Sequence, residues 1–583
     1  MTHLEIREKF LEFFEERGHK IVASSSLLPT DPSVLFTTAG MQQFKPYYTG
    51  EADALKDFGS LNTVSIQKCI RTSDIDKVGD ESHLTFFEML GNFSFGYKPG
   101  EPVSPKGGYF KEEAIKLGHE FITKEMGLKI DYVSIFAGED GIPADEESEK
   151  YWKEVDPKIK IVKAGRKDNF WGPTGDEGPC GPTSEIYVNS VEVWNLVFNQ
   201  YYQKKDKTLE SLKIPGIDTG MGLERLATVS QGKKNIFETD LFVPVMSLMQ
   251  FDFPERIKRI IADHTRAIAF LISDGVIPSN KDQGYVLRKL MRRVMAYQFL
   301  FGSEDEINFE LIFKKYCDIF GSVYLELKMN LRKILDEFEA ETAKFNQTLG
   351  KGMKVLDQMD KVDSAKAFQL FSSYGLPYEI IKEVSGEKAS VLTREVFDLE
   401  LKKHQELSRT ASAGMFKGGL ADASVETTRL HTAAHLMLEA LRRTLGEHVQ
   451  QKGSNITSER LRFDFSHGEK MTPEQIAEVE KIVNEQIEKK LSVHFEEMTI
   501  DEAKKIGATG VFEHKYGDKV KVYFVGNDDD YFSKEICGGP HVENTGDLAS
   551  VRDPEHQSKG PFRIIKEESV SAGVRRIKAI LEH

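Results

Sequence analysis

Two pairs of residues, far apart in the chain, together offer the donor set of a transition-metal site. His431-Thr-Ala-Ala-His435 sets two imidazoles four residues apart, which on a helix places both rings on one face within reach of a common point. Cys537-Gly-Gly-Pro-His541 offers a thiolate and a third imidazole across a turn whose glycines let the backbone fold tightly around an ion. Three imidazoles and a thiolate are borderline-soft ligands, better suited to zinc than to magnesium or calcium. Either pair alone is more often a set of ordinary core residues, so the argument rests on their conjunction. Four protein ligands would close the centre, and a displaced one would leave room for water or substrate.

A second constellation suits phosphate chemistry. Asp218-Thr-Gly-Met-Gly-Leu-Glu-Arg225 reads as a strand end passing through two glycines into a helix. The glycines allow a ligand to lie against backbone, and Arg225 can aim a fixed cationic fork at a phosphate. Taken alone the segment is more often an ordinary turn. Upstream, Cys69-Ile-Arg71 is followed after a charged loop by His83-Leu-Thr-Phe-Phe-Glu-Met-Leu-Gly-Asn-Phe-Ser-Phe-Gly96, the pattern of two antiparallel strands and their connection. A third group, Arg288, Lys289, Arg292 and Arg293, puts cations on neighbouring turns of an expected helix, as an RNA-contacting patch or a solvated face.

These residues need a scaffold, and 583 residues at 40% hydrophobic are more than one core usually supports. A helix opens the chain, with Leu4, Phe10, Leu11 and Phe14 at roughly helical spacing before Gly18. Residues 1–240 then mix short β-rich runs with Gly, Pro and Asn punctuation, the texture of a mixed sheet with functional loops. From 241 to 407 the apolar period turns helical, giving an all-helical domain. Residues 408–426 are rich in small side chains and read as a linker. In 427–583 helices at Thr427–Leu445 and Pro473–Lys490 alternate with strand-like runs at Arg460 and Lys519–Val525, an α+β domain. The expected fold class is therefore α+β and multidomain. A net charge of -15 excludes a protein that coats nucleic acid along its whole surface. Four scattered cysteines, the absence of a long apolar run and a charged N-terminus point to a cytoplasmic chain without a membrane partner.

With those residues in view, the segment from Arg71 to Gly96 resembles motif 2 of the alanine-specific class II aminoacyl-tRNA synthetases, and Asp218 to Arg225 resembles motif 3. Pro32-Ser-Val-Leu-Phe-Thr-Thr-Ala-Gly-Met-Gln-Gln-Phe is similar to motif 1. The resemblance implies an antiparallel catalytic sheet with flanking helices, and ATP, alanine and tRNA(Ala) as partners, with DNA excluded. It implies that Arg71 grips the α-phosphate and Arg225 the γ-phosphate end, that Phe87 stacks on adenine, and that His83, Glu88, Met89 and Gly220 complete the ATP site. Asp218 would bind the α-ammonium of alanine in a pocket shaped by Trp171, Asn195 and Gly220. No general base is required, since the attacking carboxylate is already an anion. Mg²⁺ would ride on the triphosphate.

The same resemblance extends to an editing domain shared by alanyl- and threonyl-tRNA synthetases, with His431, His435, Cys537 and His541 holding zinc and Gln451 lining the pocket. Proofreading is expected on physical grounds, because a pocket for alanine cannot exclude glycine and rejects an added hydroxyl by only about two orders of magnitude or less. A threonyl enzyme would need a zinc in its catalytic domain, where residues 1–240 have Cys69 and Cys180 as their only cysteines and no matching His cluster. A tRNA-binding or free-standing editing protein is the other alternative, and Arg71, Asp218 and Arg225 count against it.

Three departures from the family pattern carry expectations. The β-barrel that usually precedes the editing domain is replaced by the 408–426 linker. The chain stops at Gly573-Val-Arg-Arg-Ile-Lys-Ala-Ile-Leu-Glu-His583, where the family commonly continues into oligomerisation and tRNA-binding segments, which implies a monomer. Phe299 and Ser372 occupy the positions where the family reads the acceptor-stem G·U pair with Asn and Asp, and neither can make those contacts.

Overall fold

The computed structural model describes the chain except residues 32, 99, 101–105, 250–252, 302–306, 414–419, 421–423, 511–518, 528–529, 550–560, 572 and 583, and the side chains of 404–413 and 571. Its residues fall into two compact units, Met1–Phe397 and Asp398–His583.

In the first unit nine strands form one sheet: β1 (Lys20–Ile21), β2 (Asn62–Ile70), β3 (Phe86–Ser94), β4 (Tyr132–Phe136), β5 (Ile161–Ala164), β6 (Phe170–Trp171), β7 (Gly178–Val188), β8 (Val191–Gln203) and β9 (Leu209–Gly222). Their order is β1-β2-β3-β9-β8-β7-β4-β5, with β6 paired to β7. The pairs from β2 to β4 are antiparallel and those at the two edges are parallel. Every residue of β2 is buried, so this central strand shows none of the apolar–polar alternation of a half-exposed one. Helix α1 (His3–Glu15) opens with a capping box in which Thr2 and Glu5 exchange hydrogen bonds. It buries Ile6, Phe10, Phe13 and Phe14. Leu4, expected on that face, is instead exposed.

Helix α2 (Leu223–Ser230) leaves the end of β9, and a helical layer follows with α3 (Glu255–Ser273), α4 (Asp282–Phe301) and α5 (Leu331–Asp357). Fourteen residues of α3 are buried, on all sides of the helix from Ile260 to Ile272, as befits a helix at the centre of a layer. One continuous core runs from Ile6 through the sheet and helices to Phe397.

The second unit has its own core, from Leu420 to Ala579. The stretch expected as a linker begins as helix, since Arg394–Ala413 is helical, and residues 414–419 and 421–423 lie outside the described residues. Helix α6 (Val425–Leu445) starts where the Ser424 side chain accepts from the Thr427 N–H. Helix α7 (Pro473–Glu488) has a Thr472–Gln475 capping box and proline in its first turn. Around them lie a four-stranded sheet, β10 (Gln451–Ile456), β11 (Leu461–Ser466), β16 (Val574–Leu581) and β15 (Phe562–Ser571), and a three-stranded one, β12 (Val493–Met498), β13 (Val520–Asn527) and β14 (Asp530–Ile536). Among the described residues no helix is long and apolar enough to cross a membrane.

Candidate functional site

The antiparallel core of the first sheet forms the floor of a cavity reached from four strands. On β3 the side chains alternate, so Phe87 and Met89 face the cavity. Across the sheet, Asn195 of β8 pairs with Gly220 of β9, and Val197 with Asp218, which places all four on the cavity side. Trp171 arrives on β6, held against Gly181 of β7. Arg71 follows β2, and His83 stands in the connection to β3 with its Nδ1 2.5 Å from Asp80 Oδ2. Arg225 enters from the first turn of α2. Nine of the residues expected at the ATP and alanine sites thus line one cavity.

Its electrostatics are asymmetric. The Asp218 carboxyl is buried, and desolvation alone pushes it up from 3.8 to about 7. No cation stands beside it among the described residues. The Arg71 guanidinium lies 4.8 Å from the Phe87 ring centroid, a cation–π contact that leaves its N–H groups directed elsewhere. Arg225 is held at 3.0 Å by Glu192 Oε2 and at 3.1 Å by the Glu192 carbonyl. Two buried polar atoms, Trp171 Nε1 and Asn195 Oδ1, make no hydrogen bond within the protein. Buried groups of this kind are expected to find a partner, and here a ligand can supply it.

Glu88 is the exception among the expected ATP contacts. Strand alternation turns it to the opposite face of β3, where it is fully buried, paired bidentately with Arg7 and bonded by the Tyr324 hydroxyl at 2.7 Å. The cavity residues not anticipated include Glu192, which anchors Arg225, and Val193 and Val197. The two valines follow from counting two residues either way from Asn195 along β8. Behind it, Glu185 Oε1 accepts from Asn195 Nδ2 at 3.3 Å, which leaves Oδ1 as the free acceptor.

The basic group on α4 is corrected in part. Arg293 is fully buried and presents nothing to a nucleic acid. Arg288 and Arg292 share Glu341 at 3.1 and 2.8 Å, and Lys289 pairs with Glu379 at 2.9 Å. These ion pairs join α4 to α5 and to the residues beyond it, and leave Arg288 and Arg292 partly exposed. Phe299 and Ser372 are exposed.

In the second unit, α6 brings His431 and His435 together, and the turn after β14 returns Cys537 and His541 to them. The four ligand atoms lie within 4.8 Å of one another. His431 Nδ1 donates to the Pro540 carbonyl at 3.0 Å, leaving Nε2 as a lone pair 3.5 Å from Cys537 Sγ. His541 Nδ1 lies 3.2 Å from Thr432 Oγ1, and its Nε2 is buried without a partner. Burial holds His431 at about 4, and His435 and His541 well below the ordinary imidazole value. All three are therefore neutral, the form that binds a metal. Glu535 Oε2 lies 3.7 Å from His435 Nε2. These donors fit a zinc ion in number and type, with outer hydrogen bonds fixing the ring orientations. Gln451 begins β10, with its amide donating to Ser454 Oγ at 3.0 Å.

Family models match segments in both units. The family described as tRNA synthetases class II (A) matches residues 5–442, and the threonyl and alanyl tRNA synthetase second additional domain matches 520–552, which contains Cys537 and His541. The alanine–tRNA ligase of Borrelia hermsii is 43% identical over 618 residues, covering 99% of each chain. That of Treponema denticola is 43% identical, again over 99% of each chain. The longer alanine–tRNA ligase of Fusobacterium nucleatum is 34% identical over 99% of this chain and 79% of its own length. With the motif residues converging on one cavity and homology running from end to end, the chain belongs to the class II aminoacyl-tRNA synthetases, in the alanine–tRNA ligase family.

Proposed function

We propose that the chain joins alanine to ATP, giving alanyl-adenylate and pyrophosphate, transfers the alanyl group to the 3′ end of tRNA(Ala), and hydrolyses seryl or glycyl esters mischarged on that tRNA. The observation that carries the first step is a desolvated Asp218 carboxylate without a counter-cation, set in the same cavity as Arg71 and Arg225. An α-ammonium satisfies Asp218 and the Asn195 Oδ1 acceptor together. Trp171 and Val197 line the same cavity and offer apolar surface to a small side chain.

In this reading the alanine carboxylate attacks the α-phosphorus, an O–P bond forms, and the bond to the β-phosphate oxygen breaks. Arg71 stabilises the charge gathering on the α-phosphoryl oxygens, and adenine stacks at Phe87. Arg225 exchanges the Glu192 oxygens, which its Nη1 alone meets in the free protein, for a bidentate contact with the γ-phosphate end. Met89 and Gly220 bring side chain and backbone against the nucleotide, with His83 at the rim. Mg²⁺ bound to the triphosphate supplies further charge neutralisation.

For hydrolysis, His431, His435, Cys537 and His541 would hold zinc, which lowers the pKa of a bound water when a coordination position is open. Gln451 would contact the misplaced aminoacyl group. The division into a catalytic domain at 1–240, a helical tRNA-recognition domain at 241–407, a linker at 408–426 and an editing domain at 427–583 belongs to the same proposal. So do a cytoplasmic monomer and contact of the acceptor stem by Arg288, Arg292, Phe299 and Ser372.

The test is ATP–pyrophosphate exchange with each of the twenty amino acids, followed by aminoacylation of tRNA(Ala) transcripts with and without the acceptor-stem G·U pair. Exchange is expected with alanine and weakly with serine and glycine. Strong exchange with threonine and none with alanine would overturn the assignment.

A further inference from the structure

The connection between β2 and β3 delivers Arg71 and His83 to the cavity, and it rests on buried polar side chains that lie outside the cavity. Asp263 and His264 on α3 and Arg293 on α4 are all fully buried. Asp263 Oδ1 accepts from the backbone N–H of Thr85 at 2.9 Å, and its Oδ2 lies 2.9 Å from His264 Nδ1. His264 Nε2 lies 3.1 Å from Arg293 Nη1, which also donates to the Ile75 carbonyl at 2.8 Å. Thr85 completes the path, since its carbonyl accepts from the N–H of Arg71 at 3.0 Å. Guanidinium, imidazole, carboxylate and backbone thus form one unbroken chain that ends on the residue expected to grip the α-phosphate.

The chain has a defined polarity. Arg293 can only donate, so His264 Nε2 is the acceptor and Nδ1–H donates to Asp263. Burial lowers His264 to about 4, which keeps it in this neutral tautomer. The arrangement is also costly for the fold. Arg293 Nε and Nη2 find no acceptor, and a buried guanidinium with unspent donors is less favourable than an apolar side chain of similar volume. Packing alone would select methionine or leucine here, so the cation answers a different requirement. That requirement is a fixed path for residues 71–85.

We propose that Arg293 is a positioning residue for ATP, acting through His264 and Asp263 to fix the backbone from Arg71 to Thr85 and, with it, the Arg71 guanidinium. The inference rests on the adenylate-forming reading given above. It separates ATP from alanine, because Asp218, Asn195 and Trp171 stand on strands that this chain of hydrogen bonds does not touch.

The experiment uses the full-length protein with Arg293→Met, Arg293→Lys and Asp263→Asn, measuring exchange kinetics with ATP and alanine varied separately, equilibrium binding of ATP, and thermal melting. Arg293→Met is expected to raise KM for ATP by about ten-fold or more and to leave KM for alanine within about two-fold. It should melt no earlier than the parent, with Arg293→Lys falling between them. An unchanged KM for ATP in folded Arg293→Met overturns the proposal, as does a parallel rise of both KM values with an earlier melt. If Arg293→Met does not fold, the same ATP-specific loss is required of Asp263→Asn, and its absence is equally fatal. Should the parent fail to exchange pyrophosphate with alanine, the enzymatic assignment falls, while the ATP-binding comparison still decides the role of Arg293.

Discussion

At the scale of single residues, Asp218 shows a conflict between stability and chemistry. Its folded value near 7 lies above the ordinary 3.8, so between those values the folded protein holds more protons than the unfolded chain, and stability falls as pH rises through that window. Above pH 7 the buried charge costs up to about 4 kcal/mol at 1.36 kcal/mol per unit. Asp218→Asn should therefore melt later than the parent at pH 8 and at the same temperature near pH 4. The same variant should lose alanine-dependent exchange by about 100-fold or more, because an amide cannot replace the charge that pairs with an ammonium. For the parent, kcat/KM for alanine should climb with pH, reaching half its maximum near 7 and levelling off about a unit above as the free carboxyl ionises. An Asn variant that melts earlier at pH 8 yet activates alanine normally would contradict both halves. Asp218 and Arg225 were legible from the glycine-spaced segment that carries them. Glu88 was misplaced only because period-two alternation was not applied to β3, where Phe87 and Met89 facing the cavity oblige the residue between them to face away.

At the scale of elements, the catalytic geometry depends on how closely β3 approaches β9. A Cβ at Gly91 would lie 2.6 Å from the Thr219 carbonyl oxygen and 2.6 Å from the Phe93 ring, too near for the strands to keep their present separation. Gly91→Ala should cost about 1–3 kcal/mol in the stability of the first unit, the usual range for overpacking. It should also raise KM for both ATP and alanine, since Phe87 and Met89 ride on β3 and Asp218 and Gly220 on β9. A rise for only one substrate would mean that the strands do not move together. Helix and strand identity was readable where the period was strong: the helices expected at Thr427–Leu445 and Pro473–Lys490 appear at Val425–Leu445 and Pro473–Glu488. The fate of the α4 cations was not readable. Glu341, which occupies Arg288 and Arg292, lies 49 residues beyond Arg292 in sequence, and local charge patterning carries no information about a partner so distant.

At the scale of the whole molecule, two units with separate cores, Ile6–Phe397 and Leu420–Ala579, divide the chemistry between them. Both were visible in sequence through their motifs. The boundary between them was harder to see, because the small-residue stretch that suggested a linker begins inside a helix. The division makes the metal a selective lever. Cys537 is raised to about 12 by burial, so the thiol must surrender a proton for an ion to bind, and metal affinity should increase with pH. Cys537→Ala removes one donor of the four and should release zinc measurable by elemental analysis of the dialysed protein. In calorimetry the parent should unfold in two transitions, and either Cys537→Ala or a chelator should lower only the one belonging to Asp398–His583. Exchange of pyrophosphate with alanine should stay within about two-fold of the parent, because none of the residues lining the ATP cavity changes, while hydrolysis of seryl-tRNA(Ala) should fall by about 100-fold or more. Were the variant to keep its zinc and its seryl-tRNA hydrolysis, the four-donor cluster would be a buried packing motif and the hydrolytic site would have to lie elsewhere. Were it to lose alanine activation as well, the two units would not be independent in function, and the separation of their cores would be misleading about how the molecule works.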